Sequence, residues 1–141
     1  MEKFVLFTLG ERWFALPGDR VQEIVLDHQI YSLPFVPPWV RGLINRHGEP
    51  CTVLDLQALL FQEELKARRF LVIRTEGDRY CFLISEVLSI VTLSEEDCHK
   101  LTAEAANEGY FSAMLTWNGR DIPVVDCEKI STRQEKDLAQ Q

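Results

Sequence analysis

The chain has 141 residues, of which 46% are hydrophobic and 26% charged, a length that suits one domain or two small halves sharing one core. This apolar fraction can bury a sizeable interior and excludes wholesale disorder. The 15 Lys and Arg residues against 22 Asp and Glu residues leave a formal net charge of -7, which disfavours general binding to a nucleic-acid backbone.

The cysteines and histidines lack the spacing of a metal site, so no metal and no cofactor is predicted. The apolar run at residues 1–7 is too short for a signal peptide, and no stretch approaches the ~18 apolar residues of a membrane span. The sequence therefore predicts a soluble, cytoplasmic chain with reduced thiols and no direct membrane insertion.

The first half begins with a hairpin signal, two apolar runs at 4–9 and 12–16 around Gly10-Glu11. Asp19 then caps a predicted short helix, in which residues 21, 24 and 25 recur at helical spacing. A second hairpin is predicted from residues 40–44 and 51–54, around the turn at 45–48. Asp55 caps a further short helix with an apolar face.

The second half repeats this order after a polar stretch at 62–69. Strands are predicted at 70–73 and 80–84, then along 85–93, while the acidic segment 94–109 is expected to form a loop or a weak helix. A last hairpin, 110–117 with 122–125, precedes a final turn capped by Asp126. Residues 132–141 form a polar C-terminal tail that is expected to fray.

The order of elements is an internal repeat, because the hairpin glycines and the capping aspartates recur in register. The halves are about 1–66 and 67–131, and whether they exchange strands is left open. Each half has too few strands for an open sheet with two covered faces. Two small closed barrels with short helices and a common hydrophobic core solve the edge-strand problem.

The most distinctive segment is the Pro-rich lead-in 33–38, followed by Trp-Val-Arg-Gly-Leu-Ile-Asn-Arg-His-Gly at 39–48 and Pro-Cys-Thr-Val-Leu-Asp-Leu at 50–56. It resembles the signature of the CheW-like chemotaxis coupling family: a Pro-rich lead-in, then Val-Arg/Lys-Gly, Asn-Leu-Arg-Gly and Pro-x-Val-Asp-Leu. The resemblance extends over residues 3–131.

This resemblance implies a mainly β fold, one domain at 1–131 made of two pseudo-symmetric SH3-like five-stranded barrels around a joint core. It also implies a non-enzymatic adaptor. Its partners would be the regulatory domain of a CheA-type histidine kinase and the cytoplasmic tip of chemoreceptors. The pathway stays open between flagellar chemotaxis and a pilus-driven, surface-motility or other divergent kinase system.

The turn departs from the family signature. His47 occupies the position of the family's turn arginine, and Arg46 lies one place earlier. Neighbouring side chains of a strand point to opposite faces, so Arg46 is not an automatic substitute. Histidine cannot form the bidentate pair that a guanidinium makes with a carboxylate.

Several candidate contacts also have structural explanations. Arg41 could reach a partner carboxylate or be a solvated strand charge, and Gly42 favours a bulge or a close backbone approach. For Trp39, packing is preferred over a partner contact. Asp55 and Asp126 are interpreted as helix caps, not catalytic carboxylates. The predicted partner-binding residues are Gln22, Glu23, Trp39, Val40, Arg41, Gly42, Asn45, Arg46, His47 and Gly48.

Two other classes of function are considered as alternatives. A small thiol enzyme would need Cys98 and His99, or another thiol, to meet a third orienting group, and the sequence places these residues on dispersed elements. Nucleic-acid binding would need a basic face with aromatics, and the only basic spots are the turn and residues 66–69. No nucleic-acid partner is expected.

Overall fold

The computed structural model describes residues 1–102 and 109–139, without the side chains at 135, 138 and 139. The strands are β1 (Glu2–Leu9), β2 (Arg12–Pro17), β3 (Val21–Leu26), β4 (Val40–Arg46), β5 (Glu49–Asp55), β6 (Arg69–Ile73), β7 (Tyr80–Ile84), β8 (Glu86–Leu93), β9 (Cys98–Lys100), β10 (Phe111–Trp117) and β11 (Arg120–Val125). The helices are α1 (Leu56–Phe61) and α2 (Cys127–Ala139), with 3₁₀ turns at Gly18–Arg20 and Glu95–Asp97.

These strands form two sheets, which confirms the mainly β, two-barrel fold class. The first sheet has the order β8-β1-β2-β11-β10-β9, and the second has the order β3-β6-β7-β5-β4. Each sheet thus takes one hairpin from the other half of the repeat: β1–β2 joins β8–β11, and β6–β7 joins β3–β5. The short strand β9 gives the first sheet six strands where five were expected.

The first hairpin links the two barrels, because its strands are buried on both faces. Phe4 and Leu6 of β1 point into the smaller cluster inside the first sheet. Phe7 and Leu9 of the same strand pack into the large core that includes strands of the second sheet. Burial on both faces explains why the sequence reads as a continuous apolar run, without polar alternation.

The predicted helix after Asp19 is wrong: residues 18–20 form a single 3₁₀ turn, and β3 follows directly. Apolar residues at 21, 24 and 25 fit a helix face, but they also fit a strand with apolar groups on both sides. β-branched side chains and antiparallel pairing with β6 favour the strand. As a result Ile24, which the helical spacing grouped with Val21 and Val25, is exposed on the strand.

The other differences lie towards the C-terminus. Within the segment expected to be a loop or weak helix, residues 98–100 form β9 against β10, and positions 103–108 lie outside the described residues. Residues 132–139, expected to fray, continue helix α2. Tertiary contacts stabilise this extension, since Gln134 is buried and Asp137 accepts a hydrogen bond from Trp39.

Candidate functional site

The turn between β4 and β5 is a tight two-residue hairpin, as the sequence predicted. His47 and Gly48 have positive φ angles of 55° and 81°, the geometry of a type I′ turn that matches strand twist. The Asn45 side chain fixes it, because its Oδ1 accepts a hydrogen bond from the Gly48 N–H at 3.1 Å. The imidazole of His47 is exposed at the tip.

Arg46 turns away from this tip and binds β3. Its Nε and Nη2 donate to the two carboxylate oxygens of Glu23 at 3.0 and 2.9 Å. Hydrogen bonding to Arg46 is the main reason that the pKa of the Glu23 carboxyl lies below its ordinary value. His47 Nε2 lies 3.9 Å from the same carboxylate. The pair joins β3 and β4, the two terminal strands of the second sheet.

Gly42 allows a second contact across the open side of the second sheet, in addition to the pair between Arg46 and Glu23. Tyr31 and Leu43 exchange two backbone hydrogen bonds of 2.8 Å, so the chain after β3 pairs with β4. A Cβ on Gly42 would lie 2.2 Å from the Tyr31 carbonyl oxygen, and the φ of Gly42 is +137°. The ladder with β5 also shifts register between Val40 and Gly42. Both predicted roles of this glycine, bulge and close approach, are confirmed.

The partly covered side chain of Arg41 is held by acceptors around helix α1. Its Nη1 lies 3.2 Å from Asp55 Oδ2 and donates to the Leu65 carbonyl at 3.2 Å, while Nη2 contacts Glu64 at 2.9 Å. Asp55 is fully buried, and its Oδ1 accepts from the Ala58 N–H at 2.9 Å. The predicted cap at Asp55 is confirmed, and its carboxylate is occupied by structural bonds.

Trp39 and Val40 lie in the interior, each with 4% of its surface exposed. Trp39 Nε1 donates to Asp137 of α2 at 3.0 Å. Together with Gly42, these residues shape the base of the hairpin and offer no side chain at its surface. The accessible part of the predicted set is therefore Gln22 and the hairpin tip, with Glu23, Arg41 and Arg46 partly covered.

A groove of about 730 Å³ lies between β3 of the second sheet and β1 and β8 of the first. Gln22 and Glu23 line it, and so do the apolar side chains of Val21, Ile24 and Ile90. Ile24 is 42% and Ile90 63% exposed. Sequence reasoning missed both isoleucines, although the outward Gln22-x-Ile24 alternation of β3 was a signal for the first.

The thiols do not form a catalytic arrangement with histidine in the part of the chain that the structure describes. Cys51, Cys81 and Cys127 are buried, and burial raises the pKa of Cys127 to about 11. A hydrogen bond between the other two thiols lowers the pKa of Cys51 and raises that of Cys81. No group of three metal-ligating side chains occurs among the described residues.

Each basic spot named from the sequence has at least one arginine engaged in an ion pair. Arg68 Nε lies 2.6 Å from Asp27, and Arg46 binds Glu23. These contacts reduce the positive charge that either spot presents to solvent. Across residues 1–102 and 109–139, no helix is long and apolar enough to span a membrane.

The described residues therefore form a mainly β protein of two small barrels that share a core and present an apolar groove beside a closed hairpin. A family model described as the CheW-like domain matches residues 3–135. The chain belongs to this family, as the resemblance in its sequence predicted.

Individual relatives agree with this assignment. The chemotaxis protein CheW of Klebsiella aerogenes is 23% identical over 143 residues, covering 97% of this chain and 86% of the relative. CheW of Thermotoga maritima is 24% identical over 127 residues, covering 88% and 83%. Protein PilI of Pseudomonas aeruginosa is 34% identical over 70 residues, 48% of this chain and 39% of PilI.

Among solved structures, the scaffolding protein TtCheW from Thermoanaerobacter tengcongensis has a similar fold. The TM-score is 0.77 at 20% sequence identity, and the match covers 88% of each chain. The two-barrel architecture is therefore shared with an experimentally determined scaffolding protein.

Proposed function

We propose that this protein is a non-enzymatic cytoplasmic adaptor that couples chemoreceptors to a CheA-type histidine kinase. The groove between the barrels carries this proposal, because it joins an apolar floor to polar groups at Gln22 and Glu23. An amphipathic helix binds such a groove through residues at helical spacing. The helical tip of a receptor is a partner of this kind, so we assign the groove to the receptor.

The kinase regulatory domain is assigned to the hairpin surface. Asn45, His47 and Gly48 are exposed at its tip, and the pair between Glu23 and Arg46 supports it from behind. Because Arg46 already neutralises Glu23, a partner meets a closed ion pair there. Modular contacts of this kind are individually weak and gain strength when receptor, adaptor and kinase assemble together.

Co-elution with the regulatory domain of its own kinase, at micromolar concentration and low salt, tests the coupling directly. Ile24→Arg places a charge in the groove and should weaken binding of a receptor-tip fragment at least tenfold while leaving kinase binding unchanged. Leu26→Arg is the matched control, because Leu26 is an exposed apolar residue of the same strand that does not line the groove. Absence of kinase co-elution would contradict the adaptor function, and equal loss in both variants would contradict the groove assignment.

His47→Arg tests whether the histidine weakens a partner contact that an arginine at this turn position would make. The substitution restores a guanidinium at an exposed position of the hairpin surface and should increase the affinity for the kinase regulatory domain. An unchanged or lower affinity would show that His47 serves a contact specific to its own partner.

A second candidate function is coupling in a pilus or surface-motility pathway. The 34% identity to PilI over 70 residues favours it. Parallel binding assays with kinase regulatory domains from a flagellar and a pilus system discriminate the two, because an adaptor should prefer its own kinase.

The thiol-enzyme alternative has a separate test. If the protein acts by binding alone, alkylation of the accessible thiol at Cys98 should leave kinase and receptor binding intact. Loss of function on alkylation, without loss of fold, would support the enzyme instead.

A further inference from the structure

The connection between β3 and β4, residues 27–39, presents apolar side chains that belong neither to the groove nor to the hairpin tip. Tyr31 is 54% and Phe35 86% exposed, and Leu26 at the end of β3 is 67% exposed. None of the three lines the groove. Single apolar residues are common on protein surfaces, so exposure alone assigns them no role. The conformation of this loop sets them apart.

Phe35 is held in a conformation that an aromatic residue rarely adopts. Its φ is +56°, in the left-handed region, where a Cβ crowds the following carbonyl oxygen. The other described non-glycine residues with positive φ are all polar. Ile30 and Val36 anchor the loop by packing against the large core, and the Tyr31 backbone is paired with β4. Strain that the surroundings enforce in this way occurs often at binding sites.

Three prolines stiffen the same stretch without making it a proline-rich ligand. Pro34, Pro37 and Pro38 fix their own φ on both sides of Phe35. A polyproline II segment needs a φ near about −75° at each residue, and the φ of Phe35 interrupts that pattern. The exposed ring therefore projects from a stiff turn, so little conformational entropy is lost when a partner covers it.

A basic strip, residues 66–69, lies next to this loop. Its cations Lys66, Arg68 and Arg69 are exposed, and Arg69 is the strand partner of Leu26. Asp27 is the single acidic residue of loop and strip, and it pairs with Arg68 at 2.6 Å. Lys66 and Arg69 have no ion pair within the part of the chain that the structure describes. Two positive charges are therefore available on a chain whose net charge is -7.

Contacts at both ends hold the loop and the basic strip together. At the β3 end, the Asp27 N–H donates to the Arg68 carbonyl at 2.8 Å. At the β4 end, Arg41 donates to the Leu65 carbonyl at 3.2 Å and pairs with Glu64, the last carboxylate before the strip, at 2.9 Å. The exposed aromatic rings and the exposed cations thus belong to the same end of the second barrel.

We propose that this end of the second barrel binds a third protein partner, through a docking segment that combines an apolar face with acidic side chains. The apolar face covers Phe35 and Tyr31, and the carboxylates pair with Lys66 and Arg69. Two unpaired cations are fewer than the about four to eight that typically recruit a protein to an anionic membrane, so a protein segment is favoured over a lipid surface. This contact is additional to those with receptor and kinase and does not depend on them.

An NMR titration of the whole protein with two synthetic amphipathic helical peptides tests this surface. Both peptides have the same face of leucine and phenylalanine, and the polar face carries glutamate in one and lysine in the other. We expect saturable shifts at the amides of the loop and the basic strip with the glutamate peptide only, with a Kd below about 1 mM. Failure to saturate with the glutamate peptide, or equal affinity for the lysine peptide, would overturn the proposal.

Vesicles that contain phosphatidylserine are the third probe, because a lipid surface also offers negative charge and apolar groups. We expect no shifts of the loop amides with these vesicles. Binding to the vesicles without binding to the glutamate peptide would overturn the proposal and assign the surface to a membrane.

Phe35→Asn separates a binding role from a structural one. Asparagine tolerates a positive φ, so the variant should have an equal or higher midpoint of urea unfolding than the native protein. Its affinity for the glutamate peptide should fall at least about tenfold. Unchanged peptide affinity would overturn the proposal. Receptor-tip and kinase binding should stay the same in this variant, so failure of this contact is distinguishable from failure of the adaptor function.

Arg69→Glu and Arg74→Glu are a matched pair of charge reversals at opposite ends of β6. Both arginines are exposed, and neither has an ion pair among the residues described. Arg69→Glu should weaken binding of the glutamate peptide at least about fivefold, and Arg74→Glu should leave it unchanged. Equal loss in the two variants would show an effect of net charge alone and would overturn the proposal. This comparison stays informative if Phe35→Asn does not fold.

Discussion

Gly42→Ala tests how the second barrel is closed. The new Cβ would lie 2.2 Å from the carbonyl oxygen and 2.9 Å from the carbonyl carbon of Tyr31. Both atoms belong to the main chain, so no side-chain rotation relieves the overlap. The alanine would also have to adopt a φ of +137°, which L-residues with a Cβ rarely populate.

The cost follows from what has to move. Separating Tyr31 from the hairpin breaks its two backbone hydrogen bonds with Leu43, each contributing about 1 kcal/mol. Backbone strain adds about 1–3 kcal/mol, which gives a total loss of about 3–5 kcal/mol. Gly48→Ala is the matched control: its φ is +81°, but no atom lies within 4 Å of the new Cβ, so only about 1–2 kcal/mol is lost.

Equilibrium unfolding in urea, followed by tryptophan fluorescence, measures the difference. With a slope of about 1.5 kcal/mol per molar urea, Gly42→Ala should lower the midpoint by about 2–3 M and Gly48→Ala by about 1 M. Equal midpoints for the two variants would refute the close approach of Tyr31 as the reason for a glycine at 42.

Three further outcomes are expected. Asp55→Asn can turn an amide donor towards the donors of Arg41 and of the Leu65 backbone. The free energy of unfolding, measured by urea titration, should therefore fall by about 3 kcal/mol. Burial raises the pKa of Tyr80 to about 12, above the ordinary value of about 10, so the unfolded state deprotonates first. Stability should therefore fall between pH 10 and 12, and less steeply in Tyr80→Phe. Ending the chain after Ser131 removes the acceptor of Trp39 Nε1 and should cost about 1–3 kcal/mol, with red-shifted tryptophan emission.

Local turn chemistry made the hairpins predictable. Three two-residue turns each pair a glycine with a polar residue, at 10–11, 47–48 and 118–119. The structure has a hairpin at each of them. Helix α1 was equally predictable, because an aspartate cap acts through the adjacent backbone. Such signals are short-range, so the chain order of elements could be read without a structure.

Features that depend on pairing between distant parts of the chain could not be predicted from the sequence. The helical interpretation of β3 was wrong because its partner, β6, lies more than forty residues away in the sequence. Arg46 could be assigned to another face than His47, but its bond to Glu23 depends on closure of the barrel. The groove depends in turn on how the two sheets pack together, since Ile24 and Ile90 belong to different sheets. Sequence alone therefore predicted the hairpin surface as a contact and missed the apolar floor of the groove.

The exchange of hairpins between the halves has a consequence for folding. Cut between residues 66 and 67, neither fragment could complete a sheet, because β1–β2 would lose its partners β8 and β11, and β6–β7 would lose β3 and β5. Each fragment would instead display the edges that the other one requires. Mixed together, they should reassemble by complementation. In the intact chain, each barrel needs strands from both halves, so we expect slow folding limited by these long-range pairings.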